Sequence, residues 1–100
     1  MVIEELEPKI NEAARLMEML SVPVRLKILC ILIEGEHGVL KLAKATKLSQ
    51  PAMSHHLKKL REAGFVQTRR DAQSILYSLK GREVSAILEV LSELYCSEKA

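Results

Sequence analysis

Apolar residues at Ile3, Leu6, Ile10, Ala13, Met17 and Leu20 follow one another in alternating steps of three and four. That spacing keeps one helical face apolar and predicts a helix over residues 3–20 with a heptad-like seam. Pro8 falls early enough to occupy a first turn or to mark the true start. Ser21 stands as the N-cap of a second helix, with Pro23 near its first turn and the apolar stretch Leu26 to Ile33 inside. Gly35 and Gly38 bracket a break. Val39, Leu42, Ala43 and Ala45 then predict a short helix ending near Thr46. Ser49 caps a fourth helix with Gln50 and Pro51 in its first turn, and Ala63-Gly64 ends it with a glycine where a left-handed residue is needed.

The pattern then changes to period two. Phe65 to Arg70 and Ser74 to Leu79 read as two strands joined by a tight turn at Asp71-Ala72-Gln73. Gly81 resets the chain, and Val84, Ile87, Leu88, Leu91, Leu94 and Tyr95 form a last amphipathic helix over 82–96. The expected order is α-α-α-α-β-β-α: a mostly α fold with a β-hairpin, in one domain spanning 1–100.

Two short helices around a tight polar turn, 39–46 and 49–63, make a helix-turn-helix candidate over 39–63. On a 100° wheel Met53, Leu57 and Leu60 form its buried stripe, while Pro51, Ala52, His55, Lys58, Lys59 and Glu62 point away. Gln50, Ser54 and Arg61 fall at the margins. Small, amide and imidazole side chains near a helix start reach base edges, and lysines one turn later reach phosphate. Arg69 and Arg70 give the hairpin, 65–79, a basic flank suited to a second contact point, a wing.

Charge sharpens this picture only when divided along the chain. Over residues 41–70, Lys41, Lys44, Lys47, Lys58, Lys59, Arg61, Arg69 and Arg70 face Glu62 alone, although the whole chain carries only +2. One basic segment in a nearly neutral protein is what a polyanion-binding surface needs; a solvated lysine-rich helix face is the plainer alternative. The 100 residues suffice for one domain with a modest core, which makes a second subunit a natural source of stability. With 48% apolar and 28% charged residues, disorder and low complexity are excluded. The longest apolar run, Ile28 to Ile33, is far short of the roughly 18–20 residues of a membrane span. An acidic start (Glu4, Glu5, Glu7) without an apolar leader, and two widely separated cysteines, lead to the expectation of a reducing cytoplasm.

The segment from Ser49 through Val66, then Arg69-Arg70, then Tyr77-Ser78-Leu79, closely resembles the ArsR/SmtB family of bacterial winged-helix repressors. Pro23-Val24-Arg25-Leu26-Lys27-Ile28-Leu29 is similar to that family's Pro-x-Arg-x-x-Ile-Leu segment, and the likeness covers roughly residues 13–96. It implies a winged helix-turn-helix, a homodimer joined through the first and last helices (3–20 and 82–96), and a double-stranded DNA operator as partner. Carried over by position, the major-groove readers are Gln50, Pro51, Ser54 and His55, with Lys58 and Lys59 on phosphate, and the wing residues are Arg69, Arg70 and Gln73. Many relatives have glycine at the wing tip, where Asp71-Ala72 stands here.

Family metal sites need a closely spaced cysteine pair in the third helix, or carboxylates and histidines along the last. Residues 38–43 contain no cysteine, and 81–96 contain no histidine or aspartate, so neither a metal nor a cofactor is expected. His55 reads as a DNA-facing polar residue and His56 as a structural hydrogen-bonding group. Cys30 and Cys96 read on their own as a small buried hydrophobe and an incidental helix-end thiol. The sub-branch called BigR/SqrR, with HlyU close by, has one cysteine at each of these positions. That likeness implies a dithiol switch for reactive sulfur species or oxidants, which releases a repressor of sulfide-detoxification genes from DNA.

Two other readings stay open: a HlyU-like activator that displaces a silencing protein, and a winged helix that binds protein rather than DNA. An enzyme is not expected, since no Ser/His/Asp arrangement, phosphate-cradling glycine loop or paired metal motif is present.

Overall fold

The computed structural model describes residues 2–96, so the first residue and the last four of the expected domain lie outside the described residues. α1 (Ile3–Leu6) and α2 (Ile10–Leu20) flank a single 3-10 turn over Glu7–Lys9. The continuous helix expected over 3–20 is therefore interrupted, because Pro8 lacks the N–H that an α-helical hydrogen bond would use.

α3 (Pro23–Ile33) begins at its proline, and its N-cap is Val22 rather than Ser21. A residue before proline is pushed out of the helical region, and Val22 is extended at φ −98°, ψ 121°. Ser21 is thereby left to close α2, where its Oγ donates to the Glu18 carbonyl at 2.8 Å.

β1 (His37–Gly38), α4 (Val39–Thr46), α5 (Gln50–Glu62), β2 (Val66–Asp71), β3 (Ser74–Leu79) and α6 (Glu83–Tyr95) follow. The hairpin is thus part of a three-stranded antiparallel sheet ordered β1-β3-β2, not an isolated pair. His37 faces Tyr77 and Gly38 faces Leu76 on one side of β3, while Thr68 and Arg69 face the same two residues on the other. Asp71, expected in the turn, pairs with Ser74 and leaves a two-residue loop, Ala72-Gln73. The fold is a winged helix-turn-helix.

Every element from α2 onward except β1 and β3 contributes buried apolar side chains to one core: Leu20, Ile28, Leu29 and Leu32, Leu42, then Met53, Leu57 and Leu60, with Val66, Val84 and Leu88. The outer faces of the first and last helical segments differ. Ile3, Ile10 and Met17, spaced by seven, and Val90, Leu94 and Tyr95 are exposed within one chain.

Candidate nucleic-acid interface and thiol pair

The turn between α4 and α5 closes tightly because Lys47 adopts a left-handed conformation, φ 61°. This lets the Leu48 N–H reach back to the Ala43 carbonyl at 3.0 Å. Ser49 then caps α5, its Oγ accepting the Ala52 N–H at 3.2 Å. Met53, Leu57 and Leu60 are completely buried, which fixes the rotation of α5 about its axis. Gln50, Pro51, Ser54, His55, Lys58 and Lys59 consequently face solvent together. Gly64, at φ 88°, ends the helix and turns the chain into the wing.

In the wing, Arg70 and Gln73 are exposed. Arg69 is engaged within the protein: its Nε donates to Glu36 Oε2 at 2.6 Å and its Nη2 donates to Glu36 Oε1 at 2.8 Å. This fork holds the Glu36 carboxyl below the usual carboxylate range, chiefly through the hydrogen bond from Arg69. Between the wing and the start of α5 lies an open cleft of about 540 Å³, whose lining includes Glu36, Gln50 and Ser54 together with Gln73, Ile75 and Tyr77 of the wing. The structure therefore gathers Gln50, Ser54 and Gln73 around one cleft and gives Arg69 a protein partner.

The two adjacent histidines of α5 differ. His55 is exposed, while His56 turns toward the body of the domain. The structural hydrogen bond expected of His56 is not made at Nδ1, which is buried without a partner among the described residues. Burial, and then the positive charges of Arg25, His55 and Lys59, push its pKa below the ordinary imidazole value.

Cys30 is not the buried hydrophobe that its apolar run suggested; it is exposed on α3, and Cys96, at the end of α6, is exposed too. α3 and α6 pack against each other. The Cys30 thiol pKa is raised, first by desolvation and then by the charge of Cys96. Neither forms a disulfide.

The family described as "Bacterial regulatory protein, arsR family" matches residues 22–68, from the residue before α3 into β2. The biofilm growth-associated repressor of Xylella fastidiosa is 37% identical over 99 residues, covering 99% of this chain and 87% of that protein. The transcriptional activator HlyU of Vibrio cholerae is 41% identical over 96 residues, covering 96% of this chain and 89% of that one. The crystal structure of the transcriptional repressor BigR from X. fastidiosa superposes with a TM-score of 0.89 at 38% identity, covering 98% of this chain and all of that one (100%). The chain belongs to the arsR family.

It is thus a transcriptional regulator of the BigR and HlyU type, from a family of regulators rather than enzymes. In this arsR-family chain no three His, Cys, Asp or Glu side chains come together as a metal-binding group among the described residues. Nor is any helix there long and apolar enough to cross a membrane. Sequence reasoning did not find Glu36 or the fixing role of Arg25. Glu36 meets Arg69 across 33 residues of chain and has no local signal. Arg25 was visible only as a motif position, whereas its Nε donates to the Met19 carbonyl at 3.1 Å and ties α3 to the end of α2.

Proposed function

We propose that this chain is a homodimeric DNA-binding repressor, released from its operator when Cys30 and Cys96 of one chain are cross-linked by a reactive sulfur species. The observation that carries the reading is the placement of two exposed thiols, one on α3 and one at the end of α6, on helices that pack against each other. The exposed face of α5 supplies the DNA contacts: Gln50, Pro51, Ser54 and His55 read base edges, and Lys58 and Lys59 take phosphate. Arg70 and Gln73 extend the contact from the wing. Val90, Leu94 and Tyr95 of α6 join Ile10 and Met17 of α2 in an apolar seam that a second copy covers. The domain thus divides into a helix-turn-helix at 39–63, a wing at 65–79 and dimer-forming helices at 3–20 and 82–96.

The chemistry balances with an organic persulfide as the oxidant. One cysteine thiolate takes the outer sulfur of RSSH and expels RS⁻, which leaves a protein persulfide. The second thiolate attacks its inner sulfur, a disulfide forms, and hydrosulfide departs. Two persulfidated cysteines condense instead to a trisulfide with loss of hydrogen sulfide. A bridge between α3 and α6 links the DNA-reading core to the dimer helices, so closing it shifts the half-site spacing.

The test is intact mass after treatment with an organic persulfide, and separately with hydrogen peroxide, with DNA affinity read in parallel. A cross-link that abolishes DNA binding, and is lost in Cys30→Ser and in Cys96→Ser, supports the reading. Release from DNA that proceeds unchanged in either variant overturns it.

The 41% identity to the V. cholerae protein, a transcriptional activator, favours a second output on the same fold. In that reading the chain displaces a silencing protein from DNA. Footprinting separates the two: protection over the polymerase site supports repression, and protection confined upstream supports activation.

A further inference from the structure

We infer that Arg69 is a positioning residue for DNA recognition, which together with Glu36 sets the width of the cleft between the wing and the reading helix. The inference rests on the DNA-binding reading above and changes the role of one residue assigned to DNA by its position in the sequence.

Arg69 of β2 and Gly38 of β1 both face Leu76 of β3, so they flank the same central residue. Glu36 immediately precedes β1. Its carboxylate meets Arg69 across β3 through two hydrogen bonds, 2.6 and 2.8 Å. The fork therefore straps the outer strand of the wing to the segment that leads directly into α4.

Glu36 lines the same cleft as the wing segment from Gln73 to Tyr77 and Gln50 and Ser54 of α5. Holding Arg69 to Glu36 holds the wing at one angle to those reading residues. Releasing it leaves the outer half of β2, beyond the buried Val66, held through β3.

Strand alternation separates Arg69 from Arg70. Neighbours on a strand point to opposite faces, so the dipeptide is divided. Both are exposed, but Arg69, opposite Leu76, is engaged by Glu36, whereas Arg70, opposite Ile75, has no ion-pair partner among the described residues. A bidentate guanidinium–carboxylate fork is geometrically demanding, and lysine or glutamine at position 69 does not reproduce it.

The experiment uses the full chain and a duplex enriched from a random-sequence library by the wild-type protein. If the wild type enriches no duplex, the DNA-binding reading itself fails; with such a duplex in hand, the variants test only the strap. Glu36→Gln is the decisive variant because the two roles of Arg69 predict opposite signs. A positioning role predicts that Glu36→Gln and Arg69→Gln each weaken binding five- to twenty-fold. Each phosphate contact contributes about 0.9 to the log–log salt slope, so a positioning role leaves that slope unchanged. The reversed pair, Glu36→Arg with Arg69→Glu, restores affinity to within about threefold of wild type. Thermal melts of every variant confirm that the fold is retained. Unchanged or tighter binding by Glu36→Gln overturns the inference, as does a salt slope reduced by about one per protomer in Arg69→Gln, or failure of the reversed pair to recover.

Discussion

Arg25 reaches from the first turn of α3 to the carbonyl of Met19, one residue before the end of α2, and it is buried while doing so. It thereby holds the corner at which the outer helix joins the DNA-reading core. A hydrogen bond from a charged donor is worth about 1.5–3 kcal/mol. Arg25→Met keeps the apolar stem and is expected to lower stability by about 2 kcal/mol, read as a lower urea midpoint with unchanged m-value. An unchanged midpoint would remove Arg25 from the structural account.

His56 makes stability depend on pH in a defined direction. Its folded pKa lies below the ordinary 6.5, through burial first and then through Arg25, His55 and Lys59. As pH falls, the unfolded chain takes the proton before the folded one does. The contribution of His56 is therefore complete above about pH 6.5 and is lost as pH falls through its lower folded value. Melting temperatures between pH 7.5 and 5 are expected to decline in the wild type and to decline less in His56→Gln. Equal slopes would dismiss the idea.

Ala72, at φ 58°, occupies the first position of the two-residue wing loop, where glycine is the unstrained choice. A left-handed alanine costs about 1–2 kcal/mol, and the extra entropy of glycine returns about 0.5–1 of it. Ala72→Gly should therefore stabilise the protein by up to about 1 kcal/mol, and Ala72→Val should destabilise it. Denaturant melts of the two variants, compared with wild type, decide the sign.

Ser49 separates folding from binding. Ser49→Ala removes the acceptor for the Ala52 N–H and is expected to cost about 1 kcal/mol. Ser49→Asp keeps a capping oxygen and so keeps stability, but it adds a negative charge beside Gln50 on the DNA-facing end of α5. The expected pattern is lowered stability for alanine and weakened DNA binding at normal stability for aspartate.

The apolar seam gives a prediction about assembly. Leu94→Glu, singly or with Val90→Glu, places charge on residues that are 66% and 52% exposed in one chain. Sedimentation equilibrium should find the double variant as a folded monomer where the wild type is a dimer. A wild type that sediments as a monomer would remove the seam from the functional account.

Most of this fold was legible because it is encoded locally. Met53, Leu57 and Leu60 lie on one stripe, Ser49 precedes it and Gly64 follows it, so α5 could be read and oriented without its surroundings. Where the reading failed, the deciding interaction came from elsewhere or from a neighbouring constraint. Pro23 forces Val22 to be extended and takes the cap from Ser21. β1 is two residues long and exists only because β3, nearly 40 positions later, pairs with it. Cys30 sits in an unbroken apolar run, and nothing in such a run says which face is covered; Ile28, Leu29 and Leu32 take the core and leave it outside. The outward residues of α5 were legible for the same reason as its stripe, whereas the engagement of Arg69 by Glu36 was not.

α5 keeps its two tasks on separate faces: the residues that hold the helix in place are fully buried, and those that meet solvent touch little else. Exchanging Gln50, Ser54 or His55 therefore leaves the packing of Met53, Leu57 and Leu60 untouched. Descendants of one ancestral sequence can accumulate such exchanges, and so acquire new genomic targets, without passing through unfolded ancestors. The scaffold is inherited, and the address it reads is free to drift.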